Sequence, residues 1–255
     1  MWTIRQEQAN AFRQRHLTRF EDEMVEHLRQ FAPKLCKIAG EASVRQVIRT
    51  GMENSGKYGF TSRGPVRFYI ELMLMFGSEF DSDPQCFWAS RILNNTAPLD
   101  EANRADRLYG GLQGYMAEVH GPDQQHRLAA LRRASQVKMG QFISSRSDLE
   151  NSILFGLHSI HPEKYDYVGE PIVRQLFGQC FDLAHRLELT GPEEIALVSL
   201  IAFTLGYRWF ADPLFRSLSA ALLDGTNSDS NARRECLLET ARLFFLQLVA
   251  EDRQP

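Results

Sequence analysis

Apolar and polar residues recur with the helical period of three to four along most of the chain. In the first such stretch the apolar positions are separated by Arg, Glu and Asp, and they are Leu17, Phe20, Met24, Leu28 and Phe31. This spacing predicts an amphipathic helix that ends before Pro33. Helix-forming residues dominate, and only 10 prolines and 17 glycines punctuate the 255 residues. We therefore predict an all-α protein.

Two further stretches, residues 66–76 and 195–205, are apolar at nearly every position. A helix that is apolar on every side has to be surrounded by other elements, so we predict that each is the central helix of its half. A glycine suited to a helix end follows each stretch, and then an Asp-Pro pair suited to a helix start. A threonine before each stretch is a predicted N-cap; Ser62 is the alternative in the first, and Thr190 would form a capping box with Glu193 in the second. The predicted caps and stops are Thr61, Gly77, Asp83, Thr190, Gly206 and Asp212.

The second of these stretches repeats the first without a gap, at the offset of 129 residues that separates Gly77 from Gly206. Sixteen of the 81 residue pairs from Leu28/Leu157 to Leu108/Leu237 are identical, whereas chance would give about five. The identities fall on caps, stops and helix starts, which fix geometry. We predict an internal duplication of a roughly five-helix unit rather than a short-period solenoid.

The run His120-Gly121-Pro122-Asp123 interrupts the helical pattern and is the best boundary between the two halves. We predict a first helical repeat unit at residues 1–120, a linker helix at 121–135 and a second repeat unit at 136–255. The linker is basic, so a docking helix is the alternative. Two similar halves are expected to pack as a pseudo-two-fold helical bundle with a groove between them.

Composition narrows the range of partners. The formal net charge is -3 and no basic stripe interleaved with aromatic residues occurs, so nucleic acid is not expected to bind. The longest apolar run, residues 195–205, is too short to span a bilayer, and the N-terminus has no signal-peptide pattern. The four cysteines lie far apart and are expected to be free thiols in a reducing compartment. We expect a cytoplasmic protein that does not bind membranes.

Candidate catalytic and metal-binding residues are few. His158 and His161 are three residues apart, but no Glu or Cys stands beside them at metal-ligand spacing. Asp81 and Asp83 resemble a carboxylate pair, yet no EF-hand pattern follows them, and capping explains Asp83. Phosphate-binding loops and Gly-x-Ser-x-Gly elbows do not occur. We expect no metal, no cofactor and no enzymatic activity; an enzyme whose site is built from scattered residues is the alternative.

Three of the residues that the two halves do not share are the predicted partner-binding residues. Tyr58, Asp81 and Trp88 correspond to Leu187, Phe210 and Ser217 in the second half. If the halves differ in what they bind, these three positions are where the difference is expected.

The first-half pattern also resembles a known family. Tyr58-Gly59-Phe60, the apolar helix to Phe76, then Gly77, Phe80-Asp81, Asp83-Pro84 and Trp88 resemble small all-helical accessory proteins encoded in type VI secretion and polymorphic-toxin gene clusters of Proteobacteria. The resemblance covers about residues 3–119, and the second half is similar to a diverged copy. It implies no catalytic residues. It implies a non-enzymatic partner of a secreted toxin or spike-tip protein, which acts as a chaperone or adaptor.

Two alternatives to this function stay open. An immunity protein would bind the cognate toxin and cover its active site, often with a complementary charge patch. A helical enzyme or small-ligand sensor would need a polar-lined pocket near the central helices.

Overall fold

The computed structural model describes the backbone of residues 6–96, 100–223 and 230–250, and the side chains in those ranges except for residues 6–14, 230 and 231. The described residues form fourteen α-helices and no strand, so the protein is all-helical. The helices are α1 (Gln6–Phe31), α2 (Pro33–Ala39), α3 (Glu41–Gly56), α4 (Arg63–Phe76), α5 (Phe87–Leu93), α6 (Glu101–Tyr115), α7 (Gln125–Gln136), α8 (Met139–Phe142), α9 (Leu149–Ile160), α10 (Pro162–Val168), α11 (Glu170–Arg186), α12 (Pro192–Leu205), α13 (Arg216–Leu223) and α14 (Ser230–Val249). A π-helix, Met116–His120, continues α6. The 3-10 helices are Pro84–Cys86, Pro122–Gln124, Trp209–Ala211 and Pro213–Phe215.

Helix starts recur along the chain with the spacing predicted from the sequence. α10 begins at Pro162, 129 residues after α2 begins at Pro33. α12 begins at Pro192, 129 residues after α4 begins at Arg63. The starts of α2 and α10 match because both helices begin at a proline, whereas α4 and α12 begin at corresponding positions with different residues.

Hydrogen bonds recur with the same spacing as the helices. Arg104 Nη1 donates to the carbonyl of Tyr58 at 2.9 Å. Arg233 Nη1, 129 residues later, donates to the carbonyl of Leu187 at 3.1 Å. In both halves an arginine thus ties the last long helix to the turn before the central helix.

The first helix is where the two halves differ most. α1 runs unbroken from Gln6 to Phe31. The corresponding region of the second half is divided into α8 and α9, with an irregular segment between Phe142 and Leu149. Ser152 supports that segment, because its hydroxyl donates to the carbonyl of Ser145 at 2.9 Å.

Four of the six predicted caps and stops lie at the helix ends expected of them. Gly77 and Gly206 follow α4 and α12 with φ of 96° and 115°, a left-handed conformation that favours glycine. Asp83 and Asp212 each cap a 3-10 helix, because each carboxylate accepts from the backbone N–H two residues ahead, at 2.8 and 2.9 Å.

The predicted N-caps at the two threonines are wrong. The N-cap residue of α12 is Gly191, one position after Thr190, because Pro192 takes the first helical position. The reciprocal bond of the capping box also moves by one residue: Gly191 N donates to Glu194 Oε2 at 2.7 Å, and not to Glu193.

At α4 the cap comes from another helix. Ser62 is the N-cap residue, and its side chain makes no capping bond within α4. The carboxylate of Glu101, on α6, accepts instead from Thr61 N at 2.6 Å and from Ser62 N at 2.7 Å. These two bonds lower the pKa of Glu101. Thr61 therefore contributes its backbone N–H and its hydroxyl to a contact between helices rather than a cap.

The two central helices are buried to different extents. α12 is buried from Glu194 to Phe203, as predicted for a helix surrounded on all sides. α4 leaves one strip accessible, in which Arg67 is exposed and Phe68, Glu71 and Met75 are partly buried. The prediction that α4 is enclosed on every side is therefore wrong for that strip.

The predicted linker contributes to the core. α7 packs along α14 and also contacts α9. Ala130, Leu131 and Ala134 are buried and belong to the same apolar cluster as the central helices of both halves. The 3-10 turn before α7 changes the chain direction, with φ of 50° at Asp123 and 57° at Gln124. The division at residues 120 and 135 stays a prediction.

Candidate functional site

The structure brings two of the three predicted partner-binding residues together. The hydroxyl of Tyr58 donates to Asp81 Oδ2 at 2.7 Å, and the hydroxyl of Tyr69 donates to the same oxygen at 2.7 Å. Asp81 is 9% exposed and Tyr69 is fully buried. Burial, with the nearby Asp81 carboxylate, raises the pKa of both tyrosines. The three side chains form an internal polar cluster at the end of α3.

Trp88 lies in a different part of the interior. It is 3% exposed, packs edge-on against Phe76 with ring centroids 5.7 Å apart, and lies 6.2 Å from the ring of Tyr115. The backbone of Gly111 approaches the indole so closely that a Cβ there would lie 2.7 Å from Trp88. Contact of Tyr58, Asp81 and Trp88 with a partner stays a prediction, and of the three only Tyr58 is more than 9% exposed.

The two capping aspartates meet the opposite half of the chain in a reciprocal way. Asp83 Oδ2 accepts from Tyr207 N at 3.0 Å. Asp212 Oδ2 accepts from Ser78 N at 2.6 Å. Each donor follows the glycine that ends a central helix, and each pair is related to the other by the offset of 129 residues. Burial raises the pKa of both aspartates, and these backbone bonds oppose the rise.

The same glycines permit close approach of the two halves. A Cβ on Gly206 would lie 2.8 Å from the carbonyl oxygen of Phe76. A Cβ on Gly77 would lie 3.1 Å from the carbonyl oxygen of Leu205. The ends of α4 and α12 therefore touch backbone to backbone, a contact that residues with a side chain would block.

A cluster of buried basic side chains lies beside this junction, and the sequence analysis missed it. Lys164 Nζ donates to the carbonyl of Phe203 and lies 5.0 Å from the Phe203 ring. Burial lowers the pKa of Lys164, and Asp83 opposes that effect. A comparison of the two halves could have indicated it, because Lys164 stands where the first half has the apolar residue Leu35.

Two histidines accompany Lys164. His161 Nε2 lies 3.2 Å from the carbonyl of Val119, and burial lowers the pKa of His161 to about 4. His120, the last residue of the π-helix, is 6% exposed, and burial lowers its pKa to about 3. Both imidazoles are therefore neutral at pH 7. Perturbed groups of this kind occur at functional sites and also in structural networks.

A cleft lies elsewhere, in the first half. Its volume is about 380 Å³, and its lining is Val25, Arg29, Pro33, Cys36, Lys37, Gly40, Glu41 and Val44. Arg29 donates to Glu41 at 2.6 Å across its rim. In the second half the positions of Cys36 and Arg29 are taken by Tyr165 and His158, whose rings pack 5.0 Å apart. Two residues that line the cleft in the first half are thus replaced by packed aromatic rings in the second half.

The described ranges contain neither a metal-binding cluster nor a membrane-spanning helix. Within them, no group of three or more His, Cys, Asp or Glu side chains could hold a metal ion. None of the helices described there is long and apolar enough to cross a membrane. Cys36, Cys86 and Cys180 are buried free thiols, and Cys236 is an exposed one.

Comparison with known proteins adds no relative. No protein-family model matches the chain, and neither a curated protein nor a solved structure is detectably similar to it.

Proposed function

We propose that this chain is a non-enzymatic protein-binding accessory of a bacterial type VI secretion effector module, acting as a chaperone or adaptor for a toxin or spike-tip protein. The observation that carries a binding role is the accessible strip of α4 beside α6. There Tyr109 is 54% exposed and meets the partly buried ring of Phe68 edge-on, with centroids 5.9 Å apart. Adjacent accessible aromatic side chains are typical of protein-binding surfaces.

The resemblance of the first half to accessory proteins of toxin gene clusters supports the secretion part of the proposal. The stretch from Tyr58 to Trp88 carries it. A cytoplasmic site of action agrees with three buried free cysteines, since thiols stay reduced there.

We further infer that the chain consists of two tandem copies of a roughly five-helix unit, packed about a pseudo-two-fold axis. The reciprocal bonds of Asp83 with Tyr207 and of Asp212 with Ser78 support this arrangement. In an interface with two-fold symmetry, residue i of one unit contacts residue j of the other and j contacts i. α3 likewise contacts Pro213–Phe215 while α11 contacts Pro84–Cys86.

The test is co-expression with the genes that adjoin the coding sequence, among which the proposal expects a toxin or a spike gene. We expect one of their products to co-purify with the chain, and deletion of the chain to abolish secretion of that product without killing the producing cells. Rescue of growth during toxin expression would instead assign the alternative role, an immunity protein. Failure of every neighbouring product to co-purify would contradict both roles.

A further inference from the structure

The accessible surface between α4 and α6, here called the α4–α6 groove, is defined by Phe68, Met75, Tyr109 and Met116. Tyr109 is 54% exposed, and the other three side chains are partly buried. α6 contacts α4, α5 and the π-helix that continues it. In the described part of the chain, these are the main helical contacts of α6, and Tyr109 stays accessible beside them.

The second half has the corresponding groove, and there it is filled. The positions of Phe68 and Tyr109 are taken by Leu197 and Leu238, which are 1% and 8% exposed. α7 packs along α14, and α8 packs against α12. Residues 125–142 of the chain thus lie over the groove between α12 and α14. The same surface is covered in one half and open in the other.

The course of the first helix explains the difference. In the second half the chain is bent between α8 and α9, so that α8 turns back onto α12. In the first half α1 is one continuous helix, and it contacts α2, α3 and α4. A continuous helix cannot turn back in this way, so among the described residues the α4–α6 groove has no counterpart of α8.

The segment that fills the second groove shows what kind of occupant such a groove accepts. α7 is amphipathic: Ala130, Leu131 and Ala134 are buried, whereas Arg132 and Arg133 are exposed. At its C-terminal end, Arg242 of α14 donates to the carbonyl of Val137, the residue that follows α7, at 3.0 Å. A short amphipathic helix therefore suffices to cover the surface.

We propose that the α4–α6 groove binds an amphipathic helix of a partner protein, seated as α7 and α8 are seated on α14 and α12. This inference rests on the proposed function, because it names the part of the partner that the chain recognises. The occupant presents apolar residues at helical spacing to Phe68 and Tyr109. Glu71, which stands where the second half has Leu200, is already paired with His27 at 2.6 Å and with Arg67 at 3.3 Å, so the contact with the occupant is apolar.

The probe is a fluorescent synthetic peptide of residues 124–143, the segment that fills the related groove, titrated with the full chain. We expect saturable binding that the substitution Tyr109→Asp weakens about tenfold or more, the size of effect seen for an interface hot spot. The matched control is Phe155→Asp, since Phe155 is also an exposed aromatic residue, 69% accessible on α9. We expect it to leave the peptide affinity within about twofold.

Three results would overturn the inference. One is no saturable binding up to about 1 mM peptide. Another is equal binding to the Tyr109→Asp chain, which would mean that the peptide displaces α7 in the second half. The third is a dimer in sedimentation that Tyr109→Asp dissociates, because a second copy of the chain would then be the occupant. Urea unfolding of both variants verifies that they are folded.

Binding of the co-purified neighbouring gene product to the Tyr109→Asp chain distinguishes failure of this inference from failure of the proposed function. If that product binds the Tyr109→Asp chain as tightly as the unmodified chain, the groove inference fails and the proposed function stands. If no neighbouring product binds but the peptide does so with the expected dependence on Tyr109, the proposed function fails and the groove inference stands.

Discussion

At the scale of single residues, glycines at the ends of the central helices decide how closely the halves approach. Gly206 has φ of 115°, and a Cβ there would lie 2.8 Å from the Phe76 carbonyl oxygen. Both the backbone conformation and the opposing backbone disfavour any side chain. A short polar network of Asp83 and Asp212 lies directly beside this contact, so a shift of the backbone would disturb it as well.

We expect Gly206→Ala to lower the free energy of unfolding by about 2 kcal/mol or more, because it combines strain at positive φ with a steric overlap. The matched control is Gly110→Ala in α6, where nothing lies within 4 Å of an added Cβ and φ is not positive. There alanine should stabilise by about 0.5–1 kcal/mol through its helix propensity. Urea unfolding of the two variants measures both effects. Equal effects of the two substitutions would contradict this account.

Buried histidines give a second residue-scale prediction. Burial lowers the pKa of His161 to about 4 and of His120 to about 3, from an ordinary value of 6.5. Between pH 6.5 and these lower pKa values, the unfolded chain binds protons more readily than the folded chain. The contribution of the neutral histidines to the free energy of unfolding is therefore fully present above pH 6.5 and is lost as the pH falls towards 4 and 3. We expect the total loss to be about 2 kcal/mol or more between pH 7 and pH 4.

The measurement is urea unfolding across that pH range. His161→Gln should flatten the pH dependence, because the residue that gains a proton on unfolding is gone. His185→Gln, which removes an exposed imidazole on α11, is the matched control. A slope that His161→Gln does not alter would mean that other groups cause the acid sensitivity.

At the scale of helices and turns, the Asp-Pro turns connect local capping to packing between the halves. Asp212 accepts from Leu214 N within its own turn and from Ser78 N of the other half, and both donors belong to buried residues. Removing the carboxylate would leave both N–H groups without this partner inside the protein, which costs more than the loss of an exposed cap.

We therefore expect Asp212→Ala to lower the free energy of unfolding by about 3 kcal/mol. The comparison is Asp100→Ala, since Asp100 caps α6 from an exposed position, where it accepts from Asn103 N at 2.8 Å. The loss of that cap should cost about 1 kcal/mol. Chemical denaturation measures the free energy of unfolding of both variants. A loss for Asp212→Ala no larger than that for Asp100→Ala would show that the contact between the halves adds nothing to stability.

Local features of these elements could be predicted from the sequence, and distant ones could not. Proline and glycine fix helix ends locally, so the starts at Pro33 and Pro162 and the stops at Gly77 and Gly206 follow from the pattern. The cap that Glu101 supplies to α4 comes from 39 residues away, and such a pairing has no local signal. The accessible strip on α4 was missed for a similar reason, since it depends on which other helices cover it.

At the scale of the whole molecule, the sequence predicts a repeat of 129 residues, but it does not predict which residues join the two halves. Ser78 and Asp212 are 134 residues apart, and nothing in the sequence around either residue indicates that the two side chains meet. The predicted binding residues show the same limit. Tyr58 and Trp88 were singled out because the second half lacks them, yet Trp88 is enclosed by the core, and Tyr58 is bonded to Asp81 inside the first half.

The shared core leads to a prediction about cooperativity. Gln85 Nε2 donates to the carbonyl of Ala202, and the rings of Phe87 and Tyr167 stack 5.6 Å apart, so each half completes its interior with the other. We expect the full chain to unfold in one transition, with coincident curves from circular dichroism and tryptophan fluorescence. Residues 1–120 expressed alone should show no cooperative transition, because their side of the junction would be exposed to water. Two separate transitions in the full chain, or a stable monomer of residues 1–120, would mean that the halves are independent units and that the reciprocal contacts of Asp83 and Asp212 only orient them.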